Sequence, residues 1–158
     1  MKNIKKLTLD NLEEVLSLIF HNNSDFKMFS QIGWDKINIK NQFLKNKNFS
    51  IGYYKDGKLL GFLIGDTAKF NQYSELEIYI LYVDKGERRT KIATSILKYI
   101  ESNKNINNIS KIYLEVAENN TEALEFYKKN NFVFLNFRHN YYKYKDEKVN
   151  AICLFKEF

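Results

Sequence analysis

Leu12, Val15, Leu16 and Ile19 recur at the three- and four-residue spacing of one helical face, which predicts an amphipathic helix near the start of the chain. Asp10, followed three residues later by Glu13, reads as its capping signal. A second, less periodic helix is expected within residues 34–44. The period then shortens. Residues 49–54 and 59–64, joined by Asp56-Gly57, predict a hairpin whose turn favours positive φ. Residues 75–83 are rich in isoleucine, leucine and tyrosine and form the next expected strand. After a short basic loop, Ile92, Ile96, Leu97 and Ile100 mark a helical face. Ile112, Leu114 and Val116 alternate with Tyr113 and Glu115 along a strand. Residues 121–130 read as helix, and 132–137 and 151–155 as strands. This order, without repeats, predicts an α/β fold: one domain over residues 1–158, with a central mixed sheet and helices on both faces.

Composition narrows the class. Of 158 residues, 44% are apolar and 28% charged, the balance of a soluble globular chain that can bury a core. No apolar run approaches the ~18 residues of a membrane span, and no signal-peptide core follows the first lysines. The lone Cys153 excludes an internal disulfide and makes the cytoplasm the expected compartment; on its strand it reads as packed core. With His21 and His139 the only histidines, no metal site is expected. A net charge of +6 attracts phosphates generally, whether on nucleic acid or on a cofactor, but no DNA- or RNA-binding motif accompanies it.

The basic loop Asp84-Lys85-Gly86-Glu87-Arg88-Arg89-Thr90-Lys91 lies between a strand and a helix start. Unpaired N–H groups and the positive end of a helix dipole hold pyrophosphate, and Arg88, Arg89 and Lys91 add countercharge. Spacing alone leaves two readings open, a phosphate cradle or a solvated basic turn.

Residues 80–93, Ile-Leu-Tyr-Val-Asp followed by Arg88-Arg89-Thr90-Lys91-Ile92-Ala93, resemble the coenzyme motif of the GNAT acyl-CoA N-acyltransferases, Arg/Gln-x-x-Gly-x-Gly/Ala. The resemblance implies the GNAT fold and acetyl-CoA as cosubstrate. It implies that Leu81, Tyr82 and Val83 run along the pantetheine arm, and that Arg88, Arg89, Thr90, Lys91, Ile92 and Ala93 hold the phosphates. Lys85, Glu87 and Lys91 depart from the usual pattern, Lys91 standing at the central glycine. The helix periodicity through Ile92 and Ala93 predicts a helical backbone at Lys91, where lysine is tolerated.

Residues 114–127, Leu-Glu-Val-Ala-Glu-Asn-Asn-Thr-Glu-Ala-Leu-Glu-Phe-Tyr, resemble the corresponding segment of the RimI type of this family, the ribosomal-protein-alanine acetyltransferases. The resemblance implies Glu115 as general base, Asn120 as a coenzyme contact and Tyr127 as general acid, with Glu77 on the adjoining strand as the alternative base. Read without it, Glu115 is a solvated strand residue and Tyr127 a core residue. Phe137-Arg138-His139-Asn140-Tyr141-Tyr142 resembles a stretch that shapes the family's peptide-binding side, with His139 inserted.

The chemistry asks for such groups. An amine attacks a thioester only when neutral, so a carboxylate that takes its proton helps. An α-amine with pKa about 7.8 is easier to neutralise than a lysine near 10.4, which ranks a protein N-terminus first among acceptors. A thiol near 8.5 is a stronger acid than a phenol near 10, so Tyr127 is expected to stabilise charge on sulfur more than to surrender its proton. A backbone N–H near Val83 is the candidate donor to the developing oxyanion. The expected activity is acetyl transfer to a protein or peptide N-terminus by direct attack in a ternary complex. A small amine acceptor, a silent acyl-CoA-binding module and a basic nucleic-acid binder are the alternatives.

Overall fold

Leu12, Val15, Leu16 and Ile19, the positions that predict the first helix, are the buried side chains of α1 (Leu12–Phe20). Its start differs from the expected one. The chain enters through a tight helical turn, Leu9–Asn11, and the Thr8 N–H donates to Asn11 Oδ1 at 3.0 Å, so Thr8 and Asn11 lock the entry in place of Asp10 and Glu13. The next helix, α2 (Lys36–Phe43), begins where the Asp35 carboxylate accepts the Asn38 N–H at 2.8 Å. The structure, a computed structural model, describes residues 3–21, 29–30, 32–144 and 147–158.

Among the described residues seven strands form one mixed sheet: β1 (Ile4–Lys6), β2 (Asn48–Lys55), β3 (Lys58–Phe70), β4 (Tyr73–Val83), β5 (Ile109–Ala117), β6 (Val133–Tyr144) and β7 (Glu147–Glu157), in the spatial order 1-2-3-4-5-7-6. Only β4 and β5 run parallel, and α3 (Ile92–Ser102) makes the crossover between them. The helix α4 (Thr121–Lys129) follows β5. The β2–β3 turn takes the predicted form, with Asp56 at φ 51° and Gly57 at φ 79°. The other strands run longer than expected. In particular β3 continues through polar residues to a second hairpin at Asn71, φ 51°.

Each sheet face has its own core. Ile96, Leu97 and Ile100 of α3 and Tyr127 of α4 pack with Leu76, Ile78, Leu114 and Val116 on one face. On the other, Val15 and Ile19 of α1 and Ile39 of α2 pack with Phe62, Ile64, Ile80 and Tyr82. The switch along β4, from Ile78 on one face to Ile80 on the other, is a β-bulge. Ile64 pairs with Ile80 and Gly65 with Ile78, leaving Tyr79 as the extra residue. Gly65 permits this, since a Cβ there would stand 2.2 Å from the Glu77 carbonyl oxygen.

Beyond the bulge the sheet opens. Parallel pairing of β4 with β5 ends at Ile78–Leu114, although β4 continues to Val83 and β5 to Ala117. The result is a fork, whose two arms are no longer paired with each other.

Candidate active site

The β4 arm presents backbone to the fork. The Asp84 N–H donates to the Leu60 carbonyl at 2.9 Å, which makes Gly61–Val83 a non-hydrogen-bonded pair of the β3–β4 ladder. Val83, and Leu81 two residues before it, therefore turn their N–H and C=O groups away from β3 and into the opening. Tyr82 does the reverse. Its main chain is paired toward β3, and its ring lies in the α1-side core at 5.6 Å from Phe62 and 5.7 Å from Phe29. Leu81 and Val83 thus offer the main-chain groups expected of them, and Tyr82 is a core residue.

The loop after β4 folds onto itself. Thr90 Oγ1 donates to the Glu87 carbonyl at 2.5 Å, and Arg88 Nε to the Val83 carbonyl at 3.4 Å. Lys91 departs from the expected helical backbone: it sits at φ 69°, ψ 11°, in the left-handed region. The reason is the sharp turn from extended Arg88 (ψ 150°) into a helix whose first bond is Ser95 N–H to Lys91 C=O. Arg89, at φ 65°, shares this conformation, which costs a residue with a side chain about 1 kcal/mol. Ile92, Ala93 and Thr94 then form the first turn of α3, whose N–H groups lie ahead of the helical ladder. Arg89 Nη2 meets Glu122 Oε1 of α4 at 3.6 Å, an exposed pair.

The β5 arm carries side chains. Glu115 alternates with Leu114 and Val116, so it turns away from the core that holds Tyr127, onto the sheet face that α1 and α2 leave uncovered beyond β4. A groove of ≈ 520 Å³ lies there, lined by Asp66, Glu75, Glu77, Glu115, Arg138 and Cys153 among others. A second opening of ≈ 600 Å³, reaching Trp34 and Tyr141, shares Glu77 and Glu115 with it. Those two carboxylates stand where both openings meet. Arg138 Nη1 donates to Glu115 Oε1 at 2.5 Å, and Cys153 Sγ lies 3.8 Å from the same oxygen. Cys153 is therefore a groove residue, not the core residue expected, because its cross-strand partner is Glu115. Burial, and then the Glu115 carboxylate, push its thiol pKa up. Glu77 Oε2 accepts the Tyr79 hydroxyl at 3.1 Å.

Tyr127 is buried at 8% exposure, edge-on to Phe126 and Phe132 with ring centroids 5.2 Å away in each case. Burial raises its pKa well above the ordinary phenol value. Asn120 caps α4: its Oδ1 accepts the Ala123 N–H at 3.2 Å, leaving the amide nitrogen for any coenzyme contact. Sequence reasoning did not single out Glu75, Asp66 and Tyr79 as lining residues, and none carries a spacing signal of its own.

Residues 10–132 match the pattern of the acetyltransferase (GNAT) family. The chain belongs to that family. The fold agrees with solved GNAT enzymes at low sequence identity. The ribosomal-protein-S18-alanine N-acetyltransferase of Escherichia coli superposes with a TM-score of 0.79 at 18% identity, covering 98% of this chain and 92% of that one. The ribosomal-protein-alanine N-acetyltransferase of Brucella melitensis gives 0.76 at 16% identity, covering 98% and 99%. The PaiA N-acetyltransferase of Thermoplasma acidophilum, solved with coenzyme A, gives 0.73 at 18% identity, covering 98% of each chain. No curated protein sequence matches.

As a GNAT enzyme, the protein is an acetyl-CoA-dependent N-acetyltransferase. The fork fits such a cosubstrate, with main-chain groups of Leu81 and Val83 turned away from β3 and a helix start that follows Arg88, Arg89 and Lys91. Acetyl-CoA, when bound, supplies the activated acetyl group; the residues around the fork supply orientation and proton handling. Among the described residues no cluster of histidine, cysteine and carboxylate side chains is arranged to hold a metal, and no helix is long and apolar enough to cross a membrane.

Proposed function

We propose that the enzyme acetylates the N-terminal α-amine of a protein or peptide by direct attack in a ternary complex, with Glu115 as general base and Tyr127 as the hydrogen-bond donor to the leaving sulfur. One observation supports this reading: β4 and β5 part beyond Ile78–Leu114, one residue before Glu115, whose side chain faces away from the core that holds Tyr127. The acceptor enters on the Glu115 side, and the phenol serves the other. A phenol whose pKa is raised by burial stays protonated and donates, as a group beside a forming thiolate should. Arg88, Arg89, Thr90, Lys91, Ile92 and Ala93 hold the phosphates, Leu81 and Val83 the pantetheine arm, and Asn120 Nδ2 completes the contact. Two of the structural neighbours act on ribosomal-protein alanine by name, which makes an alanine-starting peptide the first acceptor to try.

A second reading, a small cationic amine as acceptor, is favoured by the groove itself. Asp66, Glu75, Glu77 and Glu115 face Lys47 and Arg138 there, an acidic excess in a chain of net charge +6.

Turnover on an alanine-starting peptide and on spermidine, compared between wild type, Glu115→Gln and Tyr127→Phe, tests both. Each substitution is expected to lower turnover at least about tenfold while acetyl-CoA still binds. Near-normal rates in both variants would remove the assignment. Turnover on spermidine alone would select the second reading, and acetyl-CoA-dependent thermal stabilisation without turnover on any amine would leave a silent binding module.

A further inference from the structure

Glu115 is held by strands remote from it in sequence. It pairs across the ladder with Cys153 of β7, and Arg138 of β6 pairs with Ala151, so β7 lies between the carboxylate and the guanidinium that binds it. Two strand spacings are roughly 10 Å, a gap that only a long side chain crosses and only over a low floor. Ala151 and Cys153, two residues apart on the same face, supply that floor. Across it Arg138 Nη1 reaches Glu115 Oε1 at 2.5 Å.

The arginine is itself steered. Between Arg138 and Tyr142, β6 advances four residues while its partner moves only from Ala151 to Val149, so two extra residues are absorbed in a local detour. Asn140 takes φ 55° at its centre, and its N–H donates to Asn150 Oδ1 at 2.9 Å. Asn150 is fixed in turn, donating from Nδ2 to Glu118 Oε2 at 3.0 Å. The detour brings the Tyr141 ring over the Arg138 guanidinium, 4.0 Å from centroid to Cζ, and lets the Tyr142 hydroxyl donate to the Glu115 carbonyl at 3.4 Å. The arginine and thiol contacts both fall on Oε1. Oε2 is left out of them, and the Tyr141 phenol also bears on this carboxylate.

We infer that Arg138 is a positioning residue for Glu115: lying across β7, it holds one carboxylate oxygen so that the other faces the acceptor amine. The inference rests on Glu115 being the base. The Arg138 side chain is 50% exposed and the Glu115 side chain 20%, so solvent screens the pair from the arginine side, and its loss should register in turnover more than in folding.

A double-mutant cycle on the full chain tests this, with kcat on an alanine-starting peptide, KM for acetyl-CoA and thermal midpoint as readouts. Arg138→Gln is expected to lower kcat about tenfold, leaving KM for acetyl-CoA within about twofold and the midpoint nearly unmoved, and Arg138→Lys to recover most of the loss. In a Glu115→Gln background, Arg138→Gln should cost less than about twofold, because a residue that acts through Glu115 has nothing left to act on. Tyr141→Leu, which uncovers the guanidinium, should give a smaller loss in the same direction. Losses that multiply in the double variant, or a wild-type kcat in Arg138→Gln, would overturn the inference and leave the base in place. A wild-type kcat in Glu115→Gln would remove both.

Discussion

On the β4 side of the fork the groups offered to a ligand are main-chain: Leu81 and Val83 along the strand, then the first N–H groups of α3. On the β5 side the group offered is a side chain, the Glu115 carboxylate with Arg138 laid against it, and Glu77 of β4 lines the same groove. Main-chain groups keep their direction when a side chain changes, so the first region is expected to tolerate Lys85, Glu87 and Lys91 where the family pattern has other residues. The second has no such reserve. Each of its contacts depends on one side chain reaching across strands.

The two regions share one point of failure, the bulge at Tyr79. Gly65→Ala would push a methyl group onto the Glu77 carbonyl and is expected to destabilise the fold by about 3 kcal/mol, read in urea unfolding, with loss of both coenzyme and acceptor binding. A fully stable Gly65→Ala protein would mean that the fork does not depend on the bulge.

Lys91→Gly sharpens the contrast. Glycine removes the left-handed penalty at φ 69°, in part offset by the freedom it adds to the unfolded chain, so stability should rise by up to about 1 kcal/mol. If the cradle is main-chain, acetyl-CoA affinity should stay within about threefold, measured by calorimetry. A tenfold fall would show the Lys91 ammonium, not the backbone, gripping the phosphates.

The smallest expected effect separates the two faces by pH. Burial raises the Tyr127 phenol on one face; burial, and then Glu77 and Asp66, raise Tyr79 on the other. The folded protein therefore retains protons that the unfolded chain loses above the ordinary phenol value of 10.0. Stability contributed by these groups is complete below that value and is lost as pH rises through the raised ones. Urea midpoints should fall above about pH 10, and Tyr127→Phe should flatten the fall without abolishing it.

Much of this was legible in the sequence where one period runs uninterrupted. The buried face of α1, the apolar face of α3 and the alternation along β5 appear as their residues predict, and the spacing of Glu115 and Tyr127 carried the family likeness. What was hidden has physical reasons. The bulge at Tyr79 resets the alternation within a strand that reads as continuous, so no single period fits β4. The outer part of β3 is polar because that part of the sheet borders an open groove. Lys91 looked helical because side-chain periodicity does not register φ at a cap. Arg138 could not be matched to Glu115 because the match depends on β7 lying between them with two small residues.

That interposed strand has a consequence for how the chain assembles. β7 follows β6 in the chain, yet it is seated between β5 and β6, and it joins residues some 40 positions apart. Until β7 is seated, β5 has an open edge, and Glu115 lacks both the Cys153 thiol and the floor across which Arg138 reaches it. The folding enzyme can shape its coenzyme arm early, but it remains chemically immature, with an adhesive β5 edge, until β7 slots home.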